Sequence, residues 1–244
     1  MNPDNPRTLT VLAMVHMNRH ISLREMERDS GILNESPEFF QNVLFSDEAT
    51  FKSTGALNRH NAHYWSMENP HWTQHVDHQH QWNVNVWCGI DDGQVIGPYF
   101  FNQTVTGQRY LQFLQDDLPV LLEHVHFDRR LRMWFQQDGA PPHFALCVRN
   151  YLNVLFPRRW IGRGGAVIWP PRSPDLTPLD FSLWRYIKDV VYKNRPTTAE
   201  DMKTRIRGAI ANIPQQALRN VVQSFRRRLE LCLEVNGGNI EHLL

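Results

Sequence analysis

Three aspartates stand out because each one borders a regular element that would hold its carboxylate in place. Asp47 follows the apolar run of residues 43–46, and Asp138 ends a second short apolar run, residues 133–138. Asp180 lies just beyond a proline-rich stretch, at the first position where a helix can begin. Proline lacks a backbone donor and keeps the preceding residue out of the α region. The sequence therefore predicts three carboxylates that are positioned by strands and by a helix start.

Three such carboxylates suit one kind of chemistry. Two divalent ions about 3.5–4 Å apart can activate the attacking oxygen and stabilise the leaving oxygen of a phosphodiester. Mg²⁺ and Mn²⁺ prefer oxygen ligands and take only a few protein carboxylates each. Metal charge would keep all three acids ionised, whereas without metal their mutual repulsion should raise at least one pKa. If the three converge, we expect a two-ion site for phosphoryl transfer.

Each aspartate also has a structural interpretation. Asp47 could be a turn residue at a strand end, Asp138 could start the turn before Gly139, and Asp180 could be a helix N-cap. Their matching contexts favour a joint role over three separate ones. Asp175 is an alternative third acid, but it precedes the position where the helix can begin.

The elements around these acids predict an α/β domain built on a mixed sheet with helices on both faces. Three antiparallel strands come first, followed by helices that alternate with two further short strands. In open α/β sheets, sites form at the ends of central strands, so we expect the first and fourth strands to be neighbours. The predicted strands are residues 43–52, 81–88, 95–101, 133–138 and 166–169, and the predicted helices are residues 106–125, 144–155 and a segment starting at 180.

Composition limits the class of protein. The 244 residues are 41% hydrophobic and 21% charged, which is typical of a globular domain. The net charge of +1 means that nucleic-acid binding would depend on local patches. Three well-separated cysteines fit reduced thiols, and no apolar run has the length of a membrane span. We expect a soluble intracellular protein with no signal peptide.

Two regions outside the acid-bearing elements have open interpretations. Residues 1–36 contain two predicted helices, the second with a capping box that starts at Ser22, as in a partial helix-turn-helix unit. Two small helices packed on the main domain would give the same pattern. Six histidines lie between residues 60 and 80. A metal site there is conceivable, but its spacing fits no zinc signature, and a solvated or DNA-facing loop is favoured.

Basic side chains near the acids are the best candidates for DNA contact. The predicted DNA-binding residues, chosen because they flank the carboxylates in sequence, are Arg158, Arg159, Arg163 and Arg172. Residues 196–244 predict a C-terminal helical extension that begins with a capping box at residues 197–200. Its arginines, Arg219 and Arg226 to Arg228, could contact phosphates or lie on a solvated helix face.

The motifs together resemble those of mariner-type transposases of the DDE/D superfamily. They are Phe45-Ser-Asp-Glu48, Val84-Asn-Val-Trp-Cys-Gly-Ile90, Gln136-Gln-Asp-Gly-Ala-Pro-Pro-His143 and the stretch from Trp169 to Trp184. They are distributed through residues 38–184. The resemblance implies a ribonuclease H-like catalytic domain over residues 37–195 that cuts and joins DNA at transposon ends. It implies that Asp47, Asp138 and Asp180 are the catalytic, metal-binding residues, with two Mg²⁺ or Mn²⁺ ions.

The resemblance carries further expectations. It implies DNA as the partner, the nucleus as the location and no membrane, and it leaves a homodimer open. Family members have two helix-turn-helix units before the first acid, whereas only residues 1–36 precede the catalytic domain here. We therefore expect impaired recognition of specific transposon ends. Two alternatives remain: a non-catalytic nucleic-acid-binding remnant of a transposase, and a nuclease of the same fold that does not transpose.

Overall fold

A five-stranded mixed sheet forms the centre of the computed structural model, which describes residues 39–54, 82–169, 173–235 and 240–244. The strand order is β3-β2-β1-β4-β5. The strands are β1 Val43–Lys52, β2 Asn83–Asp91, β3 Gln94–Phe101, β4 Trp134–Gln136 and β5 Trp160–Ile161. The predicted helix-turn-helix unit, the histidine-rich stretch and Arg172 lie outside the described residues.

The pairing of β1 on both its edges explains the mixed character of the sheet. β1 pairs antiparallel with β2 along most of its length, and β2 pairs antiparallel with β3. On its other edge β1 pairs parallel with β4, from Val43 opposite Trp134 to Phe45 opposite Gln136. β4 in turn pairs parallel with β5. The expected adjacency of the first and fourth strands is therefore confirmed.

Helices cover both faces of the sheet, as predicted. The helices are α1 Gly107–Gln112, α2 Leu118–Leu121, α3 Phe127–Arg132, α4 Leu146–Leu155, α5 Arg185–Val191, α6 Ala199–Ala211 and α7 Gln215–Glu234. One face carries α1, α2 and α4, and the other face carries α5, α6 and α7. A π-helical turn at Phe113–Asp117 joins α1 and α2 into one helical segment. Short 3₁₀ helices lie at Phe39–Asn42 and Glu241–Leu243.

Alternation along the strands divides the buried side chains into two cores. Phe45 and Phe51 of β1 point into one core, together with α5, α6 and α7. Leu44 points into the other, together with α1, α2 and α4. Buried side chains of α6 and α7, including Ile206 and Phe225, belong to the first core. The predicted C-terminal extension is thus packed directly on the sheet.

Two details of the predicted elements are corrected. The fifth strand is Trp160–Ile161, and the predicted strand at residues 166–169 contributes a single bridge from Val167 to Ile161. The tight turn at Gly162–Gly165 brings Val167 back beside β5, which the apolar pattern alone did not indicate. The basic residues 128–132, whose composition alone predicts a turn, instead belong to the short helix α3. None of the helices within the described ranges has the length and apolar character needed to cross a bilayer.

A buried ion pair joins three parts of the fold. Arg129 of α3 donates to both carboxylate oxygens of Asp91, at 2.8 and 2.6 Å. Asp91 lies at the end of β2 and is completely buried. The same guanidinium also donates to the backbone carbonyl of Gln41 in the first 3₁₀ helix. Arg129 therefore holds α3, the β2–β3 turn and the start of β1 together.

We expect Arg129→Met to lower the free energy of unfolding by about 3–5 kcal/mol. The substitution leaves the buried Asp91 carboxylate without its cation and with a 3.3 Å hydrogen bond from Gln94 Nε2. Urea denaturation followed by circular dichroism measures this change. Arg132→Met is the matched control on the same helix, since Arg132 is exposed and its loss should cost less than about 0.5 kcal/mol. Equal effects of the two substitutions would contradict this account of the ion pair.

Candidate active site

The edge of the sheet where β4 ends is where two of the three predicted acids meet. The hydroxyl of Ser46 donates to the backbone carbonyl of Gln136 at 2.6 Å, and the Ser46 amide donates to the Gln136 side chain at 3.3 Å. These bonds fix β1 against β4 immediately before the acids. Because Phe45 is opposite Gln136 and residues two apart share a face, Asp47 and Asp138 come out on the same face. Asp47 lies within β1 and not at its end. The parallel pairing of β1 with β4 ends at Phe45, so Asp47 lies two residues beyond it.

Asp47 is the most enclosed of the three acids, with 8% of its surface exposed. The indole Nε1 of Trp184 donates to its Oδ2 at 2.8 Å. Burial, followed by repulsion from Asp180 and Glu48, raises the pKa of Asp47 well above its usual range, although the Trp184 hydrogen bond opposes this. A nearby cation would stabilise the ionised form of Asp47.

Asp180 approaches Asp47 from the π-helical turn at Leu179–Trp184, and the helix begins where the prolines predicted. Residues four apart lie on the same side of a helix, so Asp180 and Trp184 both face Asp47. Burial and repulsion from Asp138 raise the pKa of Asp180 to about 6, while Lys188 and a hydrogen bond with Asp47 lower it. Single π-helical turns are frequent at functional sites.

Asp138 has a different environment from the other two acids. Its Oδ1 accepts a hydrogen bond from the backbone amide of Ala140 at 2.9 Å and contacts Nδ1 of His143 at 2.6 Å. Burial would raise the pKa of Asp138, but these two bonds and the charge of His143 outweigh it and lower the pKa. Asp138 is therefore ionised, and its side chain is 41% exposed.

His143 connects Asp138 to a fourth acid. Its Nε2 lies 3.1 Å from Oε2 of Glu48, and its ring packs against Tyr110 with centroids 4.3 Å apart. Burial lowers the pKa of His143, but the carboxylates of Glu48 and Asp138 outweigh it and raise the pKa to about 10. Glu48 follows Asp47 on β1 and so points to the opposite face of the sheet. An imidazolium thus links the two faces and fixes the Asp138 carboxylate.

The arrangement is suited to a divalent cation. Asp47, Asp138 and Asp180 supply only oxygen donors. Burial, and after it repulsion among the acids, raises the pKa of Asp47 and Asp180, and the charge of a cation would oppose this rise. Oε1 of Glu48 is also buried without a hydrogen-bond partner. Within the described ranges, no three His, Cys, Asp or Glu side chains surround one point as ligands of a single ion.

Three of the predicted DNA-binding arginines lie within the described residues, at two different edges of the sheet. Arg163 follows β5 at the edge where Asp138 follows β4. Arg158 and Arg159 precede β5, and Nη1 of Arg159 donates to the carbonyl of Met133 at 2.7 Å, before β4 begins. The parallel β4–β5 pairing therefore puts Arg158 and Arg159 at the opposite edge from the acids. They do not flank the carboxylates, and their contact with DNA stays a prediction.

Three further residues of the site were not selected from the sequence, namely Glu48, His143 and Trp184. All three lie inside the motifs that carry the family resemblance. The acid pair at residues 47–48 was visible as a pattern. Nothing in the sequence showed that His143 would bridge Glu48 and Asp138, because that contact depends on the turn at residues 139–142.

Comparisons with known proteins agree with the motifs. The transposase of transposable element Tc3 from Caenorhabditis elegans is 27% identical over 161 residues, which are 65% of this chain and 46% of that protein. The fold matches the crystal structure of the Mos1 mariner transposase catalytic domain with a TM-score of 0.65 and 20% identity, over 97% of each chain. It matches the mariner Mos1 paired-end complex with Mg with a TM-score of 0.69 and 20% identity, over 97% of this chain and 64% of that chain. No family model matches the chain.

These comparisons confirm two predictions from the sequence. The chain resembles a mariner-type transposase in sequence, and its mixed sheet has the ribonuclease H-like fold of the Mos1 catalytic domain. The chain spans about half the length of the curated relative that it matches.

We expect the His143 imidazole to stay protonated on both nitrogens at pH 8, because its folded pKa of about 10 lies above the unfolded value near 6.5. Two-bond ¹H–¹⁵N NMR spectra of the ring report this directly, and His143→Gln identifies the signal. A titration midpoint near 6.5 would contradict the bridge to Glu48 and Asp138.

The same pKa shift predicts how the bridge stabilises the fold. Since the folded pKa is raised, the stabilisation is complete below about pH 6.5 and is lost as the pH rises through about 10. At pH 7, His143→Gln should cost about 2–3 kcal/mol, less than a fully buried pair because Asp138 is partly exposed. Urea unfolding of both proteins at pH 7 and pH 10.5 measures this difference, which should shrink at the higher pH.

Proposed function

We propose that this chain is a metal-dependent enzyme that cleaves and joins DNA strands, as in cut-and-paste transposition. The observation that carries the proposal is the convergence of three carboxylates from separate elements: Asp47 from β1, Asp138 from the loop after β4, and Asp180 from the π-helical turn. Asp47 and Asp180 are close enough to share a hydrogen bond. The relationship to the Tc3 transposase supports the same activity.

Each carboxylate has a role in this proposal. Asp47 is hydrogen-bonded to Asp180 and feels the charge of Asp138, so we assign it the position shared between two ions. Asp138, fixed by His143 and Ala140, would hold one ion, and Asp180 would hold the other. When bound, two divalent ions would activate the attacking oxygen and stabilise the leaving oxygen of a phosphodiester. The enclosed position of Asp47 sets the depth of the site, while the exposure of Asp138 and Asp180 leaves it open to a DNA strand.

The metal and the partner belong to the same proposal, and the comparisons support both. Mos1 transposase catalytic domains have been solved with Mg and with Mn, which supports Mg²⁺ or Mn²⁺ here. Mos1 has also been solved as a paired-end complex with the left transposon end, which supports DNA ends as the substrate. Action on chromosomal DNA would place the protein in the nucleus, and joining two ends would suit a homodimer.

We expect the protein to nick supercoiled plasmid DNA in the presence of Mn²⁺ and to lose this activity when the metal is chelated. Asp180→Asn should lower the rate by more than about 100-fold, because even partners outside the metal's own ligand set are worth about 10–100-fold. Asp175→Asn is the matched control, since Asp175 lies in the same motif but outside the three-carboxylate cluster. Gel separation of nicked from supercoiled DNA measures both rates.

The outcome of this assay separates the proposal from its alternatives. Absence of nicking by the wild-type chain would contradict the enzyme and favour a non-catalytic DNA-binding protein of the same fold. Nicking without joining of the cleaved ends to a target plasmid would favour a nuclease that does not transpose. Equal loss in Asp175→Asn and Asp180→Asn would contradict the choice of the third acid.

Metal binding should release protons, because ions require the ionised forms of acids whose pKa values are raised. Asp180, with a pKa of about 6, is protonated below that pH. Ionisation of Asp180 should therefore raise the affinity for Mn²⁺ by up to about tenfold for each pH unit below pH 6. Above pH 6, Asp180 should contribute little further change. Isothermal titration calorimetry in buffers of different ionisation enthalpy counts the protons. Affinity that does not change between pH 5 and pH 8 would contradict the proposed ligand set.

A further inference from the structure

Two arginines next to the acids share one aromatic ring. The guanidinium carbon of Arg163 lies 4.0 Å from the centroid of the Phe144 ring, and that of Arg149 lies 4.4 Å from the same centroid. Each guanidinium is held by a cation–π contact to this ring, so both cations border the same side chain. Phe144 immediately follows His143, the residue that fixes Asp138.

The backbone around this group positions both side chains. Nε of Arg149 donates to the carbonyl of Phe144 at 3.1 Å. Gly164, with φ of +86°, leaves room for the Arg149 side chain, because a Cβ there would lie 3.0 Å from Arg149 Cδ. The stem of Arg163 passes over Gly139, the residue after Asp138, at about the distance of ordinary contact. The two arginines thus border the turn that follows the second acid.

Neither guanidinium has an anionic partner within the described part of the chain. No carboxylate oxygen lies within 4.0 Å of Arg149 or Arg163, although ion pairs of this kind occupy Arg129, Arg205, Arg226 and Arg227. A bound anion would offset the positive charge of these two side chains. Arginine suits phosphate because its planar fork can donate two parallel hydrogen bonds.

We propose that Arg149 and Arg163, held on the ring of Phe144, form a clamp for a backbone phosphate of the DNA strand that enters the three-carboxylate site. Arg163 was already expected to contact DNA, whereas Arg149 and Phe144 were not. The clamp lies at the same sheet edge as Asp138, so it holds a phosphate beside the one that is cleaved. This inference rests on the proposed function, since it takes DNA as the substrate.

The clamp predicts a specific effect on the salt dependence of DNA binding. Loss of one phosphate contact lowers the slope of log K against log salt concentration by about 1, irrespective of DNA sequence. A residue that only stabilises the fold would lower the unfolding temperature without changing this slope. The slope therefore distinguishes a phosphate contact from a structural role.

The test uses the full chain in Ca²⁺, which occupies oxygen-ligand sites, with a short fluorescein-labelled duplex of arbitrary sequence. Fluorescence anisotropy measures affinity between about 0.05 and 0.2 M salt. Arg149→Gln should weaken binding by roughly three- to tenfold and reduce the slope by about 1. Phe144→Leu should weaken binding with a smaller change of slope, because both charges remain but lose their platform. Arg132→Gln, an exposed arginine that precedes β4 at the opposite edge, should change neither quantity.

The outcomes separate failure of the clamp from failure of the proposed function. If the wild-type chain binds and nicks DNA but Arg149→Gln behaves like Arg132→Gln, the clamp is wrong and the proposed function stands. If Arg149→Gln loses thermal stability with an unchanged slope, Arg149 is structural and the clamp is again wrong. If the wild-type chain neither binds nor nicks DNA, both are wrong. If Phe144→Leu binds like the wild type, the ring does not hold the clamp.

Discussion

The hydrogen bond from the Trp184 indole to the Asp47 carboxylate, 2.8 Å long, is the contact on which the geometry of the site depends. It joins the central strand β1 to the π-helical turn that carries Asp180, across most of the length of the chain. Because Trp184 and Asp180 are four residues apart in that turn, fixing the indole also fixes the acid. The prolines before the turn determine where the helix begins, and Trp184 determines which side of it faces the sheet.

Charge is distributed unequally among the acids of this site. Asp47 and Asp180 repel each other in a partly enclosed position, and their pKa values are raised. Asp138 is kept ionised by His143, which in turn is kept protonated by Glu48 on the opposite face of the sheet. The protein thus supplies Asp138 as a permanent anion and Asp180 as an acid that ionises above about pH 6. A nearby cation would lower the raised pKa of Asp47.

The elements of the domain were largely predictable, whereas the contacts between them were not. The apolar runs predicted the positions of β1 to β4, and the prolines predicted a helix start next to Asp180. Both predictions succeeded because they depend on local sequence preferences. The two-residue strand β5 was missed because its position depends on pairing with β4. The prediction that Arg158 and Arg159 flank the carboxylates was wrong for the same reason. Closeness in sequence to the acids does not show at which end of a parallel strand a residue lies. The His143 bridge and the pairing of two arginines on Phe144 depend on how a turn folds back, which no pattern of residue types encodes.

The central claim is that Asp47, Asp138 and Asp180 together bind two divalent ions. Anomalous diffraction from crystals of the full chain soaked in Mn²⁺ tests it most directly. We predict two anomalous peaks about 3.5–4 Å apart, with Asp47 contacting both, Asp138 contacting one and Asp180 contacting the other. A single peak, or an Asp180 carboxylate that contacts neither ion, would contradict the account.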